Sequence, residues 1–282
     1  MIRVAFQGEA GAYGEEAVHR YFGPGAAQPS PMPTFSAVCD AVAAGSADAG
    51  VLPLENSLAG TVGDALDALA AGSLTVVGEV LQPIHHHLLV LPGATLGDVE
   101  QVRSHWQALS QCDRFLSRHA WNIVPTADTA GAARQLATEG DSQVAAIASE
   151  RAASLYGLRI AARSIQDAVE NVTRFAVIAR SRVEVPEATA DARGASTAAR
   201  ETLITFETGH RPGDLVRALT VLADAGINLS RIESRPSGEG PWRYRFLVQV
   251  DGDAAADPLR GALLEMREHT RAMRVLGSFA AG

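Results

Sequence analysis

The chain has 282 residues, of which 47% are hydrophobic and 20% charged, and a formal net charge of −8. That length fits one large domain or two ordinary ones with a full core. The acidic balance argues against a nucleic-acid or acidic-membrane partner, because counterion release needs a basic face, while a small anionic substrate needs only a locally positive pocket.

Ile2 to Phe6 reads as a buried strand that runs into a glycine-rich loop. No secretory pattern precedes it, and no apolar run approaches the ~20 residues that span a bilayer. The two cysteines, Cys39 and Cys112, lack a CxxC partner. A cytosolic protein with reduced thiols is expected. Glu15 to Tyr21 reads as a helix, Ala49 to Leu54 as a strand and Val62 to Ala71 as a helix. A long extended stretch covers Leu74 to Leu91. Gln101 to Arg103, Ile123-Val124 and Val144 to Ala148 read as strands, with helices over Ala108 to His119 and Thr129 to Ala137. Such alternation argues for an α/β unit with largely parallel pairing. Residues 182–200 lose the apolar period and read as a linker. Beyond it, strands at Leu203 to Phe206, Asn228 to Ser234, Trp242 to Val250 and Arg274 to Phe279 interleave with helices at Asp214 to Ala225 and Pro258 to His269. That order is βαββαβ, the ferredoxin-like arrangement.

Five stretches have the composition for chemistry. Gly8-Glu9-Ala10-Gly11-Ala12-Tyr13-Gly14 lies between a strand and a helix, where glycines let backbone approach a ligand and free N–H groups face an anion. Its G-x-x-G-x-x-G spacing is not the dinucleotide G-x-G-x-x-G, and Pro29 to Phe35 holds no acid for a ribose. A plain tight turn is the other reading. Glu55-Asn56-Ser57 and Thr61 follow a buried strand, where ligands of open α/β sheets collect; Asn56 or Ser57 could instead cap the next helix. Gln107 and Gln111 lie four apart and share a helix face, solvated or lining a cleft. His85-His86-His87 alternate along an extended segment, so at most His85 and His87 share a face. No third ligand is visible for a metal, so structural or cleft-edge histidines are expected. Thr173-Arg174, at the lip of the apolar run Phe175 to Ala179, sets a hydroxyl beside a guanidinium. That suits a small anion; it also suits a strand-entry threonine beside a surface ion pair.

In this order the stretches resemble the prephenate dehydratase family over nearly the whole chain. Val51-Leu52-Pro53-Leu54-Glu55-Asn56-Ser57 resembles its V-x-P-x-E-N-S motif, Gln107-Ala108-Leu109 with Gln111-Cys112 its Q-A-L-x-Q-C motif, and Asn171-Val172-Thr173-Arg174-Phe175 its Asn-x-Thr-Arg-Phe motif with the catalytic threonine. The C-terminal part resembles an ACT domain, an amino-acid-sensing module. Pro212-Gly213-Asp214-Leu215-Val216 stands at its effector motif; Gly226 to Leu229, Ile232 to Pro236 and Trp242 to Phe246 resemble the rest. Departures are Trp106 for a proline, Gly14 for a serine and Asp214 for an alanine. Asp214 also suits a plain helix cap.

The resemblance implies a two-lobed catalytic domain like a type II periplasmic binding protein, with a central cleft, over residues 1–181. Lobe one is expected at about 1–75 and 160–181, lobe two at about 76–159, and the ACT domain at 201–282. It implies decarboxylative dehydration of prephenate to phenylpyruvate, CO2 and water, with arogenate as the alternative substrate. Phenylalanine would regulate it at an interface in a homodimer or homotetramer. No cofactor, metal, nucleic acid or membrane is implied. Thr173 would donate to the departing hydroxyl, Arg174 clamp a carboxylate and Phe175 wall the ring. Asn56, Ser57, Gly11, Gln107, Gln111 and Asn171 would bind substrate, and Glu55 would be structural. Gly213, Asp214, Leu215, Val216, Asn228, Glu233 and Ser234 would hold the effector. Removing residues after about 195 is expected to leave a desensitised catalyst. No chorismate mutase segment is expected, since the first strand starts at Ile2. A non-catalytic amino-acid sensor and a nicotinamide oxidoreductase are the rival classes.

Overall fold

The computed structural model of the protein describes residues 1–181, 185, 200–209, 211–238 and 240–281. Apart from Val185 and Arg200, the expected linker at 182–200 lies outside the described residues. The chain begins with β1 (Ile2–Gln7), α1 (Tyr13–Phe22), β2 (Ala27–Met32), α2 (Phe35–Ala43), β3 (Ala49–Asn56), β4 (Gly60–Thr61), α3 (Gly63–Ala71) and β5 (Thr75–Pro83). There follow β6 (His87–Val90), β7 (Gln101–His105), α4 (Trp106–Ser110), α5 (Asp113–Leu116), β8 (Asn122–Thr126), α6 (Thr129–Glu139), β9 (Val144–Ala148), α7 (Glu150–Leu155), β10 (Arg159–Ala162) and β11 (Val172–Ala179).

These strands form two sheets. The first runs β2-β1-β3-β11-β5 with β4 on β3, the second β10-β6-β9-β7-β8. Pairing is mixed rather than largely parallel. β1 lies parallel to β2 and β3, but β11 runs antiparallel between β3 and β5. Helical crossovers impose parallel neighbours; β11 returns from the second sheet and is under no such constraint. β2 carries Pro29 and Pro31, which an edge strand tolerates because it has a side with no ladder to complete.

The expected break between lobes at about residue 75 moves. β5 belongs to the first sheet along its whole length, from Thr75↔Ala179 to Pro83↔Val172. β10, placed at the lobe-one return, pairs instead with β6 in the second sheet. The chain crosses at Ile84 to His86 and again before Asn171. The crossing segments are bonded, Ile84 N–H to the Asn171 carbonyl at 2.7 Å and Ile165 N–H to the His86 carbonyl at 2.8 Å. The helix expected over Ala108 to His119 is broken into α4 and α5, because Cys112 leaves helical geometry at φ −117°, ψ 19°.

The third sheet comprises β12 (Arg200–Glu207), β13 (Leu229–Pro236), β14 (Tyr244–Asp251) and β15 (Arg271–Ala280), in the order β13-β14-β12-β15 and antiparallel throughout. With α8 (Asp214–Asp224) and α9 (Leu259–His269) it makes the expected βαββαβ unit. One face packs on these helices through Ile204, Phe206, Val248 and Val250. The other lies on the first sheet. Leu203, Leu247, Leu276 and Phe279 join Leu52, Leu54, Val76, Ala176 and Ile178 in one buried cluster. The two approach closely at Gly277, where a Cβ would sit 2.0 Å from the Val76 carbonyl oxygen, so no side chain fits there.

Candidate active site

A cleft of about 800 Å³ lies between the two lobes. Lobe one contributes the start of α1, the start of α2 and the ends of β3 and β11; lobe two contributes α4 and the start of α6. Asn56, Gln107, Gln111, Thr173 and Phe175 all line it. The C-terminal end of β3 has an irregularity that places Asn56 there. Pro53 has no N–H for the ladder with β11, and the register slips between Arg174 and Phe175, leaving Leu54 as the extra residue of a bulge. Val51 and Pro53 face the cleft, whereas Leu52 and Leu54 face the third sheet. Regular alternation would send Asn56 after Leu54. The bulge reverses the parity, so Glu55 faces the third sheet and Asn56 the cleft.

The amide of Asn56 has one possible orientation. Its Oδ1 accepts the backbone N–H groups of Leu58 (3.1 Å) and Ala59 (2.9 Å). Its Nδ2 therefore donates to Asn171 Oδ1 (2.7 Å) and Thr173 Oγ1 (3.0 Å). Asn171 then donates through Nδ2 to Gln111 Oε1 at 3.0 Å. That same oxygen faces His86 Nε2 at 2.9 Å, so the imidazole proton sits on Nε2. His86 Nδ1 is left as an acceptor, and the Tyr13 hydroxyl, 2.8 Å from both this nitrogen and the His85 carbonyl oxygen, shares its one proton between them. Burial pushes the His86 pKa down to about 4 and holds that of Tyr13 well above its usual value. At neutral pH the chain of groups from Tyr13 to Thr173 thus carries no charge. Thr173 Oγ1 is an acceptor within it, and its own proton is free to point into the cleft.

Several expected residues lie elsewhere. Arg174 follows Thr173 on β11 and so projects from the opposite face. It pairs with buried Glu79 at 3.4 Å, and Glu79 also accepts from Gln249 of β14 at 3.3 Å. A carboxylate clamp in the cleft is therefore excluded for this arrangement. Ser57 braces the entry of β11: its hydroxyl accepts from Val172 N–H at 3.0 Å and its N–H donates to the Val172 carbonyl at 2.9 Å. Gly11 is a contact between lobes rather than an anion cradle. Its N–H is taken by Glu15 at 2.5 Å and its carbonyl by the Ser149 hydroxyl at 2.8 Å. A Cβ there, at φ +88°, would lie 2.9 Å from Ala152 Cα. Asn171 is buried and orients its neighbours without lining the cleft. Glu55 meets Arg231 of β13 at 3.5 Å.

The expected effector residues divide. Gly213 opens α8 at φ +82°, and the Asp214 carboxylate turns back to Arg211 N–H (2.8 Å) while pairing with Arg217. Val216 and Asn228 are exposed, and Leu215 packs on the core of the third sheet. Glu233 and Ser234 are neighbours on a strand and face opposite sides; Glu233 is engaged by the Thr61 hydroxyl of β4. The two cannot both face one ligand.

Tyr13 and His86 line the cleft within stretches that the sequence reading names but to which it assigns no individual role. Strand alternation pairs His85 with His87 and hides His86, but residues 84–86 form the crossing segment, where strand parity does not apply. Among the described residues no arginine lines the cleft, and the sequence contains no lysine. Substrate carboxylates there would meet neutral donors: the amides of Gln107 and Gln111 and the N-terminus of α1, which has no side-chain cap.

The family model described as prephenate dehydratase matches residues 4–183, and that of the ACT domain residues 202–266. The chain belongs to the prephenate dehydratase family. Among its relatives is arogenate dehydratase/prephenate dehydratase 2, chloroplastic, of Arabidopsis thaliana, 38% identical over 99% of this chain and 72% of that protein. A solved prephenate dehydratase from Arthrobacter aurescens, in complex with L-Phe, superposes with a TM-score of 0.88 at 34% identity, covering 99% of this chain and 90% of that one. A structure described as GqqA, a novel type of quorum quenching acylases, gives a TM-score of 0.87 at 35% identity, covering 99% and 98% of the two chains. Membership of the prephenate dehydratase family fits the geometry: the cleft offers a positioned hydroxyl and amide donors. Among the described residues no helix is long and apolar enough to cross a membrane.

Proposed function

We propose that the chain converts prephenate to phenylpyruvate, CO2 and water, with the Thr173 hydroxyl as the donor to the departing oxygen. The ring carboxylate leaves as CO2, its bonding electrons enter the ring, and the ring C–O bond breaks to expel the hydroxyl as water once a proton is supplied. Aromatisation drives the step. The enzyme's share is to stabilise the leaving oxygen and hold two carboxylates. The orientation of the Asn56 amide carries this reading, because it commits Thr173 Oγ1 as acceptor and frees its proton. A pre-aimed donor in a closed cleft needs no reorganisation as charge develops. Gln107, Gln111 and the start of α1 hold carboxylates, and Phe175 walls the ring.

An acyl-transfer reading would need a base to take a proton from Thr173. The group bonded to its oxygen is the Asn56 amide nitrogen, itself a donor, and among the described residues His86 connects to it through Gln111. Dehydration needs neither nucleophile nor base. Arogenate remains the alternative substrate, since the two molecules share the ring on which the reaction occurs.

The ACT module would bind phenylalanine in an assembly of two or four chains and alter turnover, in a cytoplasmic setting. Gly213, Asp214, Leu215 and Val216 at the start of α8, with Asn228, remain the effector residues proposed. Incubation with prephenate and with arogenate, with and without phenylalanine, tests the reading. Phenylpyruvate, detected in alkali, is expected from prephenate. No product from either substrate, together with saturable phenylalanine binding, would favour a sensor instead.

A further inference from the structure

Arg231 crosses from the third sheet to the bulge that aims Asn56. It sits on β13 and is 8% exposed. Its Nη2 donates to the Leu54 carbonyl at 3.1 Å, which also accepts Val62 N–H at 3.0 Å. Leu54 is the extra residue of the bulge, so its carbonyl lies where the β3–β11 ladder is interrupted. The Arg231 guanidinium also pairs with Glu55 at 3.5 Å and Glu233 at 3.8 Å. The bulged residue and the one after it are thus gripped from one point, and the next residue, Asn56, holds Thr173.

Arg231 is a poor choice for stability alone. Its Nη1 is buried without a hydrogen-bond partner among the described residues, and its buried Nε meets the Glu55 carboxylate at 3.5 Å, an ion pair without a hydrogen bond. An apolar side chain of similar reach would leave no buried donors unpaired. A position that breaks a local rule in this way points to a task other than packing.

We propose that Arg231 is a positioning residue for the dehydration: from the ACT module it holds the Leu54 bulge, and through it keeps the Asn56 amide in register with Thr173. This rests on Thr173 being the donor. The same face of β13 carries Glu233, bonded to Thr61, and Arg235, which pairs with Asp67 of α3 at 2.6 Å. Alternate residues of one strand therefore hold the whole segment from β3 to α3.

The test is a double-mutant cycle on prephenate turnover. Arg231→Met should lower kcat about 10- to 100-fold, the range for a misplaced catalytic group, with KM within about threefold of wild type. Arg231→Lys, which keeps one donor for the Leu54 carbonyl, should recover part of the loss. In an Asn56→Ala background Arg231→Met should cost nothing more, because the group it positions is gone. Losses that multiply, or an Arg231→Met variant with wild-type kcat, would overturn the proposal while leaving the dehydratase reading intact. A wild-type chain without turnover would overturn both. If Arg231→Met loses cooperative melting, Glu55→Gln takes its place in the cycle. It is expected to lower kcat severalfold, again only while Asn56 is present, and an unchanged kcat overturns the proposal.

Discussion

Two backbone N–H groups, those of Leu58 and Ala59, determine where the Thr173 proton points. An isolated threonine beside an amide has two hydrogen-bond polarities of similar energy, and only one leaves a donor for substrate. Anchoring Asn56 Oδ1 to the loop removes the other. The neighbouring arginine shows the opposite outcome. Thr173 and Arg174 look like a joint anion site in the sequence, but strand alternation sends them to opposite faces, and Arg174 finishes beside Glu79. Arg174→Met should thus leave the KM for prephenate within about twofold of wild type. Stability should fall by about 1–3 kcal/mol, because buried Glu79 loses a partner. Steady-state kinetics with thermal melting checks both; a tenfold rise in KM would restore the clamp.

At the scale of elements, much was legible. Most strands and helices of both modules follow the apolar periodicities, and the βαββαβ order is read directly from them, while β2, α2, α7 and β10 have no counterpart in the sequence reading. What the sequence hid were features set by other parts of the chain: the direction of β11, the assignment of β5 to the first sheet, and the bulge at Leu54. Pro53 is the local sign of that bulge, since a proline inside a central strand must break its ladder. Its consequence for Asn56 needed the pairing register. Within the glycine loop the outcome divides: Gly8 and Gly14 line the cleft, whereas Gly11 is small because α7 approaches it. Helix α1, next to that loop, carries a pH-sensitive contact. Burial, aided by Glu15, raises the Glu16 pKa from the ordinary 4.5 to about 7 against the opposing effects of Ser149 and Arg151. The folded chain thus prefers neutral Glu16, and stability is lost as pH rises from about 4.5 through 7. Glu16→Gln should raise Tm by a few degrees at pH 8 and leave it unchanged near pH 4.5. Equal effects at both pH values in a melting series would contradict this.

For the whole molecule, the third sheet is part of the catalytic core rather than an appendage. It covers the face of β3, β5 and β11 opposite the cleft, and Leu203, Leu247, Leu276 and Phe279 complete that core. The expectation that a chain ending near residue 195 would be a desensitised catalyst therefore changes. Such a chain would expose Leu52, Leu54, Val76 and Ile178, each worth about 1.5–3 kcal/mol when buried. It should lose cooperative melting and most turnover; full kcat with cooperative melting would contradict the shared core. The same contact gives regulation a physical route. An effector that favours one position of the third sheet acts on the strands that carry Asn56 and Thr173, and substrate must act back on the effector by the same factor.

The central claim is that the Thr173 hydroxyl is the aimed donor, and the most direct measurement is kcat for Thr173→Val and Thr173→Ser on prephenate. Valine keeps the shape and removes the proton. Loss of one positioned donor should cost about 2.7–4 kcal/mol, a fall in kcat of roughly 100- to 1,000-fold, with little change in KM. Serine, which keeps the hydroxyl, should retain most of the activity. A Thr173→Val enzyme with near-wild-type kcat would contradict the account.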